Sequence, residues 1–301
     1  MLKKILNSFL RVFDVKITRY STSRPLDFSK KNIHPRTLSA ICEQRTALVN
    51  LEIKHGRTNR FYPLEKISFD PHIFSINQAL QNKLIEGSPY DSVLSMIENY
   101  KKRINIKNVT ELFGLEDFKN KELKVYPPWA AVMPWENIEI NQKILDFPKS
   151  VKVDRAKNGF FIKSSDPYVI MKEDEINSLP SHVTQFVSLI NSIKKNSYTP
   201  EKKNSYIEVE LLIKEDKFRW KPSGEGNHRA TVVASLGYEK ITGLVKYIVR
   251  YEDAEYWPNV VNGTYQKKEA ELIFNRFFEA NPPNYNNKWN LFCQEIISNG
   301  K

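Results

Sequence analysis

The stretch from residue 206 to residue 249 constrains the fold more than any other part of this chain. Residues 206–213 are rich in β-branched and aromatic side chains, residues 214–217 are charged and turn-like, and residues 218–220 resume an extended pattern, which together predict a β-hairpin. Residues 222–227 then read Pro-Ser-Gly-Glu-Gly-Asn, and a helix is expected from about 228 to 236, ended by Gly237 just past its last turn. A second β-rich run follows over 240–249. A hairpin, a glycine turn, a helix and a further strand belong to the α+β class.

Around this unit the pattern is looser. Residues 1–122 read as a mainly helical N-terminal region, with helices expected over 74–86 (ended by Gly87), 88–103 and 109–118, where Thr110 is a candidate cap and Gly114 weakens the middle. Residues 123–301 form the second unit, with an insertion at about 141–204 that holds a polar stretch and a helix over 181–194. The prolines Pro127 and Pro128 break the chain before Ala130-Ala131-Val132-Met133, a short apolar run of the kind found in buried strands. Near the C-terminus a loop over 256–265 precedes a helix over 267–279.

Composition bounds the setting. Hydrophobic residues at 41% and charged residues at 27% are those of a folded globular protein. The net charge of +11 favours anionic partners without choosing among nucleotides, nucleic acid, acidic lipid and phosphorylated sugars, and a lysine- and asparagine-rich genome produces the same excess. Cys42 and Cys293 lie far apart and form no metal-ligand spacing, which suits a reducing, cytoplasmic compartment. No apolar run reaches the roughly 18 residues a membrane span needs. Leu2, Ile5, Leu6, Phe9, Leu10 and Phe13 recur at helical spacing among Lys3, Lys4, Arg11 and Lys16. Residues 1–16 are therefore either a first helix packed on its own domain or a basic amphipathic helix on the inner membrane surface.

The glycine turn carries the chemistry. Gly224 and Gly226 permit positive φ and bring backbone N–H groups close to a ligand. The helix that follows presents unsatisfied donors and the positive end of its dipole, which suits an anion. Arg229 adds a planar fork matched to phosphate oxygens, His228 a protonation-dependent donor, and Asn227 a candidate N-cap. The alternative is a structural turn with a surface histidine and arginine.

The run Gly-Glu-Gly-Asn-His-Arg-Ala-Thr, residues 224–231, resembles the phosphate-binding motif of the ParB/sulfiredoxin superfamily. It is most similar to the Gly-x-His-Arg form of the free-serine kinases related to ParB, with Glu225 standing where that form has Asp. The resemblance implies that Gly226, Asn227, His228 and Arg229 contact nucleotide phosphates, with Gly224 and Glu225 completing the binding turn, that the helix through Leu236 packs on a small mixed sheet, and that Thr231 reaches the same phosphates or a metal. ATP or another nucleotide triphosphate, with Mg²⁺, is the implied cofactor. The reactive cysteine of sulfiredoxins is replaced by Asn227, and the second arginine of ParB by Ala230, so neither sulfinic acid reduction nor chromosome partitioning is expected. By position, Glu136 after the Pro134-Trp135 pair stands where the kinases carry a base, unless Trp129 and Trp135 are core anchors and Glu136 a rim carboxylate. Trp257, in the loop after the last strand, is a candidate to stack on a base or sugar, with Asn259 or Asn262 on a hydroxyl. More loosely, the chain resembles proteins of bacterial cell-surface polysaccharide gene clusters. The expected function is nucleotide binding with phosphoryl transfer to a small hydroxylated acceptor, such as a sugar. A nucleotide-binding switch without turnover and a nucleic-acid binder are the alternatives. No reading motif for nucleic acid accompanies the scattered basic residues.

Overall fold

Five strands form one open mixed sheet in a computed structural model that describes residues 25–30, 46–81, 88–118, 120, 122–157, 159–203, 205–224 and 226–299. Strands β1 (Leu26–Phe28), β2 (Ala47–Glu52), β3 (Ile207–Lys214), β4 (Lys217–Pro222) and β5 (Lys240–Arg250) lie in the order β1-β2-β5-β3-β4. The expected hairpin is β3–β4, turned at Glu215 and Asp216, with β3 parallel to β5 on its other side. β2 pairs antiparallel with β5, and β1 parallel with β2. The N-terminal region is therefore not purely helical. It supplies two strands, and the division at 122/123 runs through the sheet. The alternating aliphatic run Ala47, Val49 and Leu51 accounts for β2, since all three bury on one face.

Helices α1 (Pro71–Gln81) and α2 (Pro89–Arg103) come next in the chain. α2 starts with a reciprocal capping box between Ser88 and Asp91. The short α3 (Val109–Phe113) is capped by Asn108, not Thr110, because the Asn108 side chain accepts from the Glu111 amide. Gly114 ends it in the left-handed conformation instead of lying in its middle. Helices α4 (Ile140–Lys157), α5 (Pro167–Asn177) and α6 (Leu179–Asn196) fill the insertion, so its polar stretch is largely helical. α7 (Asn227–Ser235) joins β4 to β5, and α8 (Pro258–Val261), α9 (Lys267–Glu279) and α10 (Asn287–Asn299) close the chain.

The helices cover both faces of the sheet. Buried residues of α1, α2, α6 and α7 share one core with Val49, Leu51, Val209 and Leu211. On the other face, α3, α9 and residues 123–140 pack over Leu212 and Val249. Arg57 ties the sheet to α9, its buried guanidinium donating to the carbonyls of Phe277 and Phe278 in the last turn of that helix. Such a cation complements the negative end of the helix.

Residues 130–132 are buried as expected and Met133 is half-buried, but the run is not a strand. Pro128–Ala130 is a single 3₁₀ turn, and residues 131–133 are irregular. Side chains take the place of a ladder: Tyr265 Oη donates to the Val132 carbonyl at 2.7 Å and Asn259 Nδ2 to the Met133 carbonyl at 3.0 Å. Two prolines immediately upstream remove donors a ladder would need.

Candidate functional site

The turn between β4 and α7 is built as the sequence suggests, with Gly224 at φ 63° and Gly226 at φ 110°. A Cβ on Gly226 would lie 3.0 Å from the Ile207 Cα, so the turn seats directly on the start of β3. Gly226, not Asn227, is the N-cap residue, and no side chain caps α7. The Asn227 side chain turns back to donate to the Gly224 carbonyl and accepts from Asn59 Nδ2 at 3.0 Å. Glu225 lies outside the described residues.

The expected ligands of this turn diverge. Arg229 donates to the Ser205 carbonyl, bracing the chain that enters β3. Thr231 is buried and donates to the Asn227 carbonyl. Trp257 is 5% exposed and stacks on Phe274 in the second core, away from the histidine cluster. Asn259 is buried too, donating to the carbonyls of Met133, Glu136 and Ile138, while Asn262 donates to Asn259 Oδ1.

His228 does enter a cluster. Its ring meets Phe186 edge-on at 4.7 Å and lies 5.6 Å from the ring of His182. His72 also packs on Phe186, with ring centroids 5.0 Å apart. Arg60 contacts both ring nitrogens of His72, at 3.3 and 3.4 Å, and Arg155 reaches His182 Nε2 at 2.9 Å. Five elements converge here: the loop after β2, α1, α4, α6 and α7. Three carboxylates face the two arginines: Asp70 at 3.7 Å from Arg60, Asp154 at 3.6 Å from Arg155, and Asp174 bonded to Arg155. Burial and the neighbouring arginines hold all three histidines below their ordinary value, His182 down to about 4. The imidazoles are thus neutral near neutrality and beside the positive end of α7. The rings are half-buried and Arg60 is 34% exposed, while Arg155 is buried. Among the described residues no group of three or more His, Cys, Asp or Glu is placed to hold a metal ion. Guanidinium and imidazole donors at a helix N-terminus suit an oxyanion instead. Arg60, His72, Arg155 and His182 were not singled out in the sequence, because nothing local connects them to a turn up to 168 positions away.

Glu136 lies elsewhere. Its neighbour Trp135 packs with Trp257, Phe274 and Phe277 in the core of the opposite sheet face. Glu136 borders a cleft of about 600 Å³ shared with Trp135, Glu210, Ser223, Lys246 and Trp257. Glu210 is buried and paired with Lys221 at 3.0 Å, and it accepts from the Trp135 indole N–H at 3.1 Å. The cleft touches the start of the glycine turn through Ser223, whereas the histidine cluster lies at its end. The glycine turn is thus shared by two places that the sequence suggested as one.

The fold and this site define an α+β protein with a cluster of three histidines and two arginines beside the start of a helix. No family model, no curated protein and no solved structure matches the chain.

Proposed function

We propose that this protein binds a nucleotide through its phosphates at the start of α7. The observation that carries the reading is the convergence of His72, His182, His228, Arg60 and Arg155 around Phe186, beside an uncapped helix N-terminus. An arriving phosphate meets donors on several sides and shifts the histidines toward the charged form. The resemblance of residues 224–231 to the ParB/sulfiredoxin phosphate motif supports the same reading. Mg²⁺ would arrive on the nucleotide, since the protein groups here are nitrogen donors and Mg²⁺ prefers oxygen ligands. In its catalytic form the protein transfers a phosphoryl group to a small hydroxylated acceptor, which needs positioning and charge neutralisation above all.

A thermal-shift titration tests this. ATP, GTP or CTP with Mg²⁺ at about a hundred times Kd should stabilise the chain by about 2.7 kcal/mol, a rise of several degrees. Arg60→Ala and His228→Asn should each remove most of that rise. Absence of a shift with every nucleotide refutes the reading.

A further inference from the structure

Half of the large apolar side chains that stay exposed are gathered in one part of the molecule. Of fourteen such residues among the described ones, seven lie between residues 145 and 176, about a tenth of the chain. Single exposed apolar residues need no explanation, whereas a concentration of them marks an interaction surface. On α4, Leu145 (52% exposed) and Val153 (58%) share with Lys149 and Lys152 an arc of about 100°. The chain then turns at Gly159 and runs back along the end of the helix. The Phe160 amide donates to the Arg155 carbonyl at 3.0 Å, and Lys152 Nζ donates to the Ser164 carbonyl at 2.9 Å. Between those two bonds Ile162 is buried, while Phe161, at 73% exposure, and Lys163 are turned out. Phe161 therefore lies along the same stretch of α4 as Val153, with lysines set among the apolar groups.

The charge of this stretch is positive. Residues 145–164 carry five cations and two carboxylates. Asp146 is matched by Lys149 at 3.4 Å. Asp154 is on the far side of the helix from Leu145 and lies 3.6 Å from Arg155, which is also bonded to Asp174. Asp166, the next acid along the chain, accepts from the Tyr168 and Val169 amides and caps α5. Glu173 and Glu175 stand with Lys172 toward the end of α5, where Lys101 donates to the Glu175 carbonyl. Lys152, Lys157 and Lys163 meet no carboxylate within ion-pair distance among the described residues.

Lysine is depleted from the cores of protein–protein interfaces, so a protein partner is a poor match for this mixture. An acidic bilayer suits it, because lysine stems lie over apolar surface while their ammonium groups reach the lipid headgroups. We propose that this face of α4 and the segment that follows it docks on a membrane surface rich in acidic lipid. Phe161, Val153 and Leu145 enter the boundary between headgroups and acyl chains, and Lys157 and Lys163 meet lipid phosphates. The inference rests on this surface alone and stands whether or not the α7 site binds a nucleotide.

Flotation of the full chain tests it, with vesicles of phosphatidylcholine alone and of phosphatidylcholine mixed equally with phosphatidylglycerol. The chain should float with the acidic vesicles and not with the neutral ones. Lys157→Gln and Lys163→Gln should each lower the affinity about fivefold. Phe161→Ser should lower it about tenfold, and all three variants should keep the circular dichroism spectrum, since these side chains are exposed. Ile67→Ser, at an exposed apolar residue outside this stretch, should bind like the unaltered chain. Equal binding to both kinds of vesicle, binding to neither, no effect of Phe161→Ser, or an equal loss in Ile67→Ser each overturns the proposal. No effect of Phe161→Ser is also the result expected if residues 1–16 make the contact. Sedimentation without vesicles covers the remaining occupant: an oligomer that Phe161→Ser dissociates would assign the face to a second copy of the chain and overturn the proposal.

Discussion

Glu210 and Lys221 stand directly opposite one another on β3 and β4, and both side chains are almost wholly buried. On an exposed hairpin such a cross-strand pair is worth well under 1 kcal/mol, since water screens it. Here removal of one partner strands a charge. Lys221→Met should cost about 3–5 kcal/mol, read as a lower urea midpoint, and the double change Lys221→Met/Glu210→Leu should recover most of it. Sequence alone displays Glu208 and Glu210 as the polar half of an alternating strand, which ordinarily means a solvated face. The segment carrying Trp135 covers that face, and it is held there through long-range hydrogen bonds from Asn259 and Tyr265. No local pattern reveals such bonds.

At the scale of elements, the turn into α7 was legible because its requirements are local. Positive φ at two positions, a break before an apolar helix and a glycine after it are all properties of neighbouring residues. Gly226→Ala should test the element as a whole. An L side chain at φ 110° is strained, and its Cβ would press on the Ile207 backbone. A loss on the order of 1–3 kcal/mol is expected in chemical denaturation. By contrast, residues 130–133 have the composition of a buried strand and most of the burial of one, yet their carbonyls are satisfied by side chains from residues 259 and 265. Apolar content forecast their burial and not their conformation, because burial can be reached without a ladder. The amphipathic N-terminal segment, residues 1–16, lies outside the described residues, as does Cys42. Cys293 is buried against Trp289 and its neighbours, and burial pushes its thiol up, away from reactivity.

For the whole molecule, the histidine cluster links stability to pH. His72, His182 and His228 all titrate below the ordinary value near 6.5 in the folded chain, and His55, beside Phe218, shifts the same way. Below 6.5 the unfolded chain binds protons that the folded chain refuses, so stability is complete above that pH and falls as the pH drops toward 4. Melting temperature should decline from about pH 7 to about pH 5, and His182→Asn should flatten the decline. Phosphate at tens of millimolar should flatten it too, since an anion beside Arg60 and Arg155 favours the protonated rings. No helix among the described residues is long and apolar enough to cross a membrane. By itself, the sequence determined the α+β class, the β3–β4 hairpin and the glycine turn into α7, because each follows from the spacing of apolar, glycine and β-branched residues within a few positions. Tertiary structure alone decided that residues 47–52 join the sheet, that His228 meets His72 and His182, and that Glu136 faces away from them. Those outcomes depend on which faces of distant elements are buried together, and a side chain's partner across a sheet is not written in its neighbours.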